Sequence, residues 1–282
     1  MAAASIRMEV RIPNKLAVLA ALFVVLAACR SGTDSQLQEL YSSGANELLQ
    51  GELDRARERA DQGLRLSNRR AASPWTWKFR LLHDEIRLIE RDLSKPFSVL
   101  DEQVPETSDY AWVRARQRFL KGHQHYSRGE FAQAVPSLED AVRVAKASSA
   151  QDVLIDADIL KGVALLRVGR WSEADASLAA AAEMAKALGD RFREAAATQN
   201  RGFGHLLSNR YDAALPFFET VMSMTDLSSL MVYAIALRNA GICYARLGDF
   251  DRAVAVQRRS VEVNEQRGPR IYLEQALGVL GV

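Results

Sequence analysis

The stretch "LRNAGICYARLGDFDRA" (237–253) sets a small residue, Gly241, in an apolar run. Seven residues later comes the turn "GDFDRA" (248–253): Gly, polar, aromatic, two polar, Ala. The turn recurs upstream as "GELDRA" (51–56), "GEFAQA" (129–134), "GRWSEA" (169–174) and "NRYDAA" (209–214). Leu53, Phe131, Trp171, Tyr211 and Phe250 fill its bulky slot, spaced 40 residues from 171 to 211 and 39 from 211 to 250. The 78 residues between 53 and 131 hold two periods, and "RDLSKP" (91–96) supplies the degenerate middle copy, with Leu93 in the slot and Pro96 replacing the Ala. The small residue keeps step: Gly44, Gly122, Gly162, Gly202 and Gly241 each precede their turn by seven, and Asp84 stands where the degenerate unit lacks its Gly. Two independent markers on one period predict repeated helix–turn–helix units.

The Gly or Asn of the turn is expected to end helix A in a left-handed cap, which those residues tolerate best. The small residue lets helices A and B cross closely, and the aromatic and the Ala are expected to pack between them. "AVPSLEDAVRVAKA" (134–147) and "AAAEMAKAL" (180–188) carry apolar residues at helical spacing. Breaks fall once per unit, at Pro105, Ser148-Ser149, Gly189-Asp190, Thr225-Asp226 and Gly268-Pro269. Only 7% of residues are aromatic, and no Val/Ile/Thr alternation is bounded by hairpin turns, so the fold class is all-α.

This pattern resembles the tetratricopeptide repeat (TPR), with Gly241, Tyr244, Leu247, Gly248, Phe250 and Ala253 in that family's signature slots. The resemblance covers about residues 37–282 and implies a right-handed superhelical solenoid of TPR-like repeats. The period of 39–40 departs from the usual length of about 34, and no unit ends in the customary Pro. Longer helices of this kind resemble the repeats of kinesin light chain and of bacterial signalling scaffolds. The division expected is six repeats over 37–268, the second degenerate, then helix A of an incomplete seventh over 269–282. Gly281 lies 40 residues after Gly241, so "YLEQALGVLGV" (272–282) reads as the front of a helix A cut before its turn.

The N-terminus is a different object. Arg7, Arg11 and Lys15 precede an apolar run from Leu16 to Ala28, too short for a permanent membrane span and suited to a secretory signal over 1–28. Leu26-Ala27-Ala28-Cys29 resembles the lipobox of bacterial lipoproteins. That resemblance implies lipidation of Cys29, a linker over 29–36 and a place on the periplasmic side of the cell envelope. Arg30 rather than Asp after the Cys leans towards the outer membrane. Removing 1–28 leaves 34 basic and 34 acidic residues, so the charge balance points to no nucleic-acid partner. Cys243 is then the only other cysteine, and no intramolecular disulfide can form.

No catalytic constellation is legible. His123 and His125 point about 200° apart on a helix, unlike a metal-binding His pair at i, i+4. His125 and His205 occupy the packing slot of Tyr244, and Cys243 lies on an apolar helix face. "GDFD" (248–251) lacks the alternating ligands of a calcium loop. No enzyme, metal or cofactor is expected. A binding groove is. Lys121, Lys161 and Arg201 sit one residue before the small Gly, Asn200 and Asn239 sit two before it, and Arg238 adjoins Asn239. Peptide-binding relatives use Asn at that slot to hold a ligand backbone, since its amide both donates and accepts. The function expected is a lipid-anchored TPR scaffold holding an extended protein or peptide segment. Alternatives are the recruiting or sensor region of a caspase-like protease of the type called CHAT, and a structural lipoprotein of envelope assembly.

Overall fold

Gly129 has φ +78°, and the two amides that follow helix A in this unit turn back on it. Gly129 N–H donates to Tyr126 O (2.9 Å) and Glu130 N–H to His125 O (2.9 Å). That pair of bonds satisfies the last helical carbonyls and needs a left-handed residue at the turn. It recurs at Gly51, Gly169, Asn209 and Gly248, and at Arg91 in the degenerate unit, where a non-glycine residue adopts φ +56°. Each motif stops an A helix, and in every unit but the degenerate one the B helix starts after three intervening residues.

The computed structural model describes residues 33–68, 73–228 and 230–266. The signal segment, Cys29 and the segment 269–282 lie outside the described residues. The A helices are α1 (33–49), α3 (Pro74–Ile89), α5 (Ala111–Ser127), α7 (Gln151–Arg167), α9 (Arg191–Leu207) and α11 (Met231–Arg246). The B helices are α2 (Leu53–Ser67), α4 (Ser98–Asp101), α6 (Phe131–Ala147), α8 (Trp171–Ala187), α10 (Tyr211–Met222) and α12 (Phe250–Gln266). No strand occurs among the described residues, and none of their helices is long and apolar enough to cross a membrane.

The small residue of helix A sits hard against helix B. A Cβ at Gly122 would lie 2.6 Å from Leu138 Cγ, and one at Gly162 would lie 2.5 Å from Leu178 Cγ. At Gly241 the obstacle is Gln257, whose Nε2 would be 2.6 Å away. The Ala of the turn motif is buried in every unit that has one: Ala56, Ala134, Ala174, Ala214 and Ala253. The bulky residue beside it behaves differently from expectation. Leu53 is buried, but Trp171 is 41% exposed and Phe250 67% exposed. Being the first residue of helix B, it sits at the edge of its own helix pair, with the Phe131 ring 5.2 Å from that of Tyr126 in α5, and lies open to the next A helix. Arg167 therefore covers Phe131 (5.0 Å to the ring centre), and Arg246 covers Tyr211 (5.9 Å).

The degenerate unit keeps its A helix and loses most of its B helix. Pro96 bars helical conformation at the residue before it and removes an amide donor, and only one turn, α4, forms after it. Arg87 holds the irregular segment, donating to Lys95 O (2.7 Å) and Asp92 O (3.3 Å) while its guanidinium lies over Phe97. Gln117 of α5 donates to Val99 O and Glu102 O, both at 2.8 Å. Phe97, Val99, Leu100 and Val104 are thereby buried in the same core as α5 and α6.

From α3 onward, successive A helices touch one another, whereas α6, α8 and α10 each pack between two A helices rather than on their B neighbours. The A layer is therefore the inner, concave one. Tyr41 of α1 reaches across it, with its ring 5.9 Å from Phe79 of α3 and 5.5 Å from Trp112 of α5.

Candidate functional site

On the A helices, the position six residues before the small residue faces the inner surface. It carries Arg116 in α5 and Asp156 in α7, 40 residues apart, with Arg116 Nη1 donating to Asp156 Oδ2 at 2.6 Å. The chain of charges extends both ways. Arg116 Nε donates to Glu85 Oε2 of α3 (3.2 Å), and Arg193 of α9 donates to both oxygens of Asp156 (2.6 and 3.0 Å) and to Asp190 (2.6 Å). Four consecutive A helices are thus joined by alternating carboxylates and guanidiniums.

Each charge is little exposed, so its neighbours decide its state. Burial alone would raise the Asp156 carboxyl, but Arg193 and Arg116 together hold it below the usual range. Glu85 faces only Arg116 closely, and there burial wins and raises it. Burial opposes the charge on Arg116 too, and Glu85 and Asp156 outweigh it. Beside the ladder, Lys78 Nζ sits 4.3 Å from the Trp75 ring centre and 5.2 Å from that of Trp112, a cation among aromatic faces. Trp112 Nε1 donates to Asp152 at 3.0 Å.

Next to the ladder lies a pocket of about 210 Å³, walled by residues of five A helices. Leu48 and Leu49 come from α1, Leu82 from α3, Phe119 and His123 from α5, Ile159 and Leu160 from α7, and Phe192 from α9. That α1 and α9 border one pocket shows how tightly the inner surface curves. His123 is its polar edge. The His123 Nδ1 is closed off from solvent without a hydrogen-bond partner, and burial and Arg116 lower the imidazole to about 4, so the ring is neutral at physiological pH.

The six polar positions read from the sequence lie elsewhere; none lines this pocket. Lys121 Nζ is 3.7 Å from Asp101, and Lys161 is 2.7 Å from Asp158, which also accepts from Ser177 of α8. Arg201 pairs with Asp175 of α8 (2.8 Å) and lies over Phe217. Asn200 donates to Ala196 O of its own helix (2.8 Å). Arg238 is half-buried, with burial lowering its guanidinium, and Asn239 is buried. Asn200 and Arg201 share a smaller pocket with Asp175 and His205; the other four are dispersed.

The remaining histidines pack or pair: His83 with Asp61 (2.9 Å), His125 with Glu130 (2.7 Å), His205 stacked on Phe217. Burial pushes the Cys243 thiol up to about 11, away from reactive thiolate. Among the described residues, no group of three His, Cys, Asp or Glu side chains could hold a metal ion.

The inner surface carries a signal that spacing alone could reveal. At the slot six before the small residue stand Lys78, Arg116 and Asp156, charged in three successive units and opposite in sign where α5 meets α7.

The tetratricopeptide repeat family profile matches residues 236–267, essentially α11 and α12. No curated protein matches the chain. Among solved structures, BtubC (BKLC) from P. vanneervenii superposes with a TM-score of 0.59 at 16% identity, over 83% of this chain and 95% of that one. The apo form of RapI superposes with a TM-score of 0.63 at 13% identity, over 87% of this chain and 68% of its own. At these identities the likeness establishes the fold. The chain is an all-helical, TPR-like solenoid.

Proposed function

We propose that this chain is a helical-repeat scaffold that holds an extended segment of a partner protein on its concave surface. The observation that carries the reading is the pocket shared by α1, α3, α5, α7 and α9. At about 210 Å³ it is smaller than the roughly 300–1,000 Å³ of small-molecule and cofactor sites. It is the size of a protein side chain, and stacked repeats present such pockets along a continuous surface. Asn200 and Arg201, which share their own small pocket, are outlying contacts in this reading.

The scaffold is tethered, in the same proposal, by lipid on Cys29 after cleavage of residues 1–28, on the periplasmic side of a bacterial envelope and with the outer membrane favoured. Leu26-Ala27-Ala28-Cys29 and Arg30 support this part.

A photo-crosslinking residue at position 159, on the pocket wall, tests the binding surface against one at position 143, exposed on α6. In intact cells, a discrete protein adduct is expected from 159 and none from 143. Equal labelling, or none from 159, would overturn the reading.

A further inference from the structure

We propose, resting on the reading above, that the concave pocket receives the phenol ring of a tyrosine carried by the partner segment, with its hydroxyl on the His123 imidazole. Size comes first: the pocket admits one large side chain. Its walls are aliphatic on the α1 and α7 sides, at Leu48, Leu49 and Leu160, and aromatic at Phe119 and Phe192, where a ring finds both burial and edge or offset contacts.

Charge comes second. The ionised groups at the pocket, Glu85, Arg116, Asp156 and Arg193, are paired with one another. A charged side chain entering here would compete with pairs already made in a poorly solvated place, so a neutral occupant is favoured.

The third observation separates tyrosine from phenylalanine and leucine. His123 and Tyr41 are the polar side chains that line the pocket outside the ladder, and of these two only His123 has a buried polar atom, its Nδ1, left without a partner. A neutral imidazole has one donor and one acceptor nitrogen, and a hydroxyl both donates and accepts. A phenol therefore pairs with the ring in either tautomer. The soft ring torsion of histidine lets the imidazole turn to meet it. An apolar side chain of the same size would leave His123 unsatisfied.

The test uses the full chain with Cys29→Ala, which leaves it unlipidated, and two side-chain probes: p-cresol for tyrosine and toluene for phenylalanine. Binding is read by NMR from saturation transfer to the ring protons of the probes, a signal that every variant can give. The p-cresol dissociation constant is expected to be about three- to tenfold lower than that of toluene, the range of one net hydrogen bond. In His123→Phe that preference disappears while toluene still binds. In Leu160→Trp, which fills the pocket, both probes are excluded and helicity is retained. Equal binding of the two probes to the unsubstituted pocket, or binding of neither, overturns the tyrosine assignment. The wider scaffold reading stands or falls separately, on the adduct at position 159.

Discussion

Arg116 and Asp156 stand 40 residues apart in the chain and 2.6 Å apart across α5 and α7. One period of the repeat returns the same slot to the same face of the next A helix, so opposite charges at that slot meet without any loop to guide them. Arg193 closes on the other side of the same carboxylate.

Asp156→Ala leaves two guanidiniums little exposed and without their shared partner. Breaking a buried pair by removing one member costs about 3–5 kcal/mol. Urea denaturation followed by helical circular dichroism is expected to show a loss of that order. An unchanged midpoint would mean that the ladder is solvated and does not hold the A layer.

Gly162→Ala places a methyl 2.5 Å from Leu178 Cγ, closer than atoms can sit without movement. Forcing a methyl into such a crossing costs about 1–3 kcal/mol. Gly248→Ala meets open space but keeps φ +87°, and its cost is conformational, about 1–2 kcal/mol. The two separate when Leu178→Ala is added, measured by thermal denaturation. The second change relieves the first substitution and leaves the other unaffected.

His123 titrates at about 4 in the folded chain against an ordinary value of 6.5. Between those values the unfolded chain binds a proton that the folded chain refuses, so this group's contribution to stability falls as pH drops from 6.5 towards 4. Burial raises the Asp84 and Glu85 carboxyls, which gives the opposite slope just above the usual carboxylate range. His123→Phe keeps those two and removes the imidazole. Its urea midpoint is expected to fall less than that of the unsubstituted chain between pH 6.5 and 4.5; parallel curves would contradict the assignment.

Cys29→Ala is expected to abolish incorporation of labelled palmitate and to release the chain from the membrane fraction. Retained label would place the lipid elsewhere.

The periodic markers made the fold legible. Gly122 and Gly162 announce close helix crossings, and Gly129 and Asn209 announce left-handed helix ends, because each position admits few residue types. Pro96 likewise announces the missing B helix of the second unit. The inner surface was less legible. Lys161 and Arg201 stand beside the small residue and look as though they line the groove, yet both are engaged with nearby carboxylates. Which helix face turns inward depends on the angle between successive units, and a repeat length does not contain that angle. Phe250 makes the same point: it shares its slot with Tyr211 by spacing, yet it is 67% exposed while Arg246 covers Tyr211.

The most direct measurement is the affinity of the partner captured at position 159 for the unsubstituted chain and for Leu160→Trp. If the concave pocket holds the partner segment, filling it weakens binding at least tenfold while the helical spectrum and thermal midpoint stay in place. An affinity unchanged by the filled pocket would contradict the account.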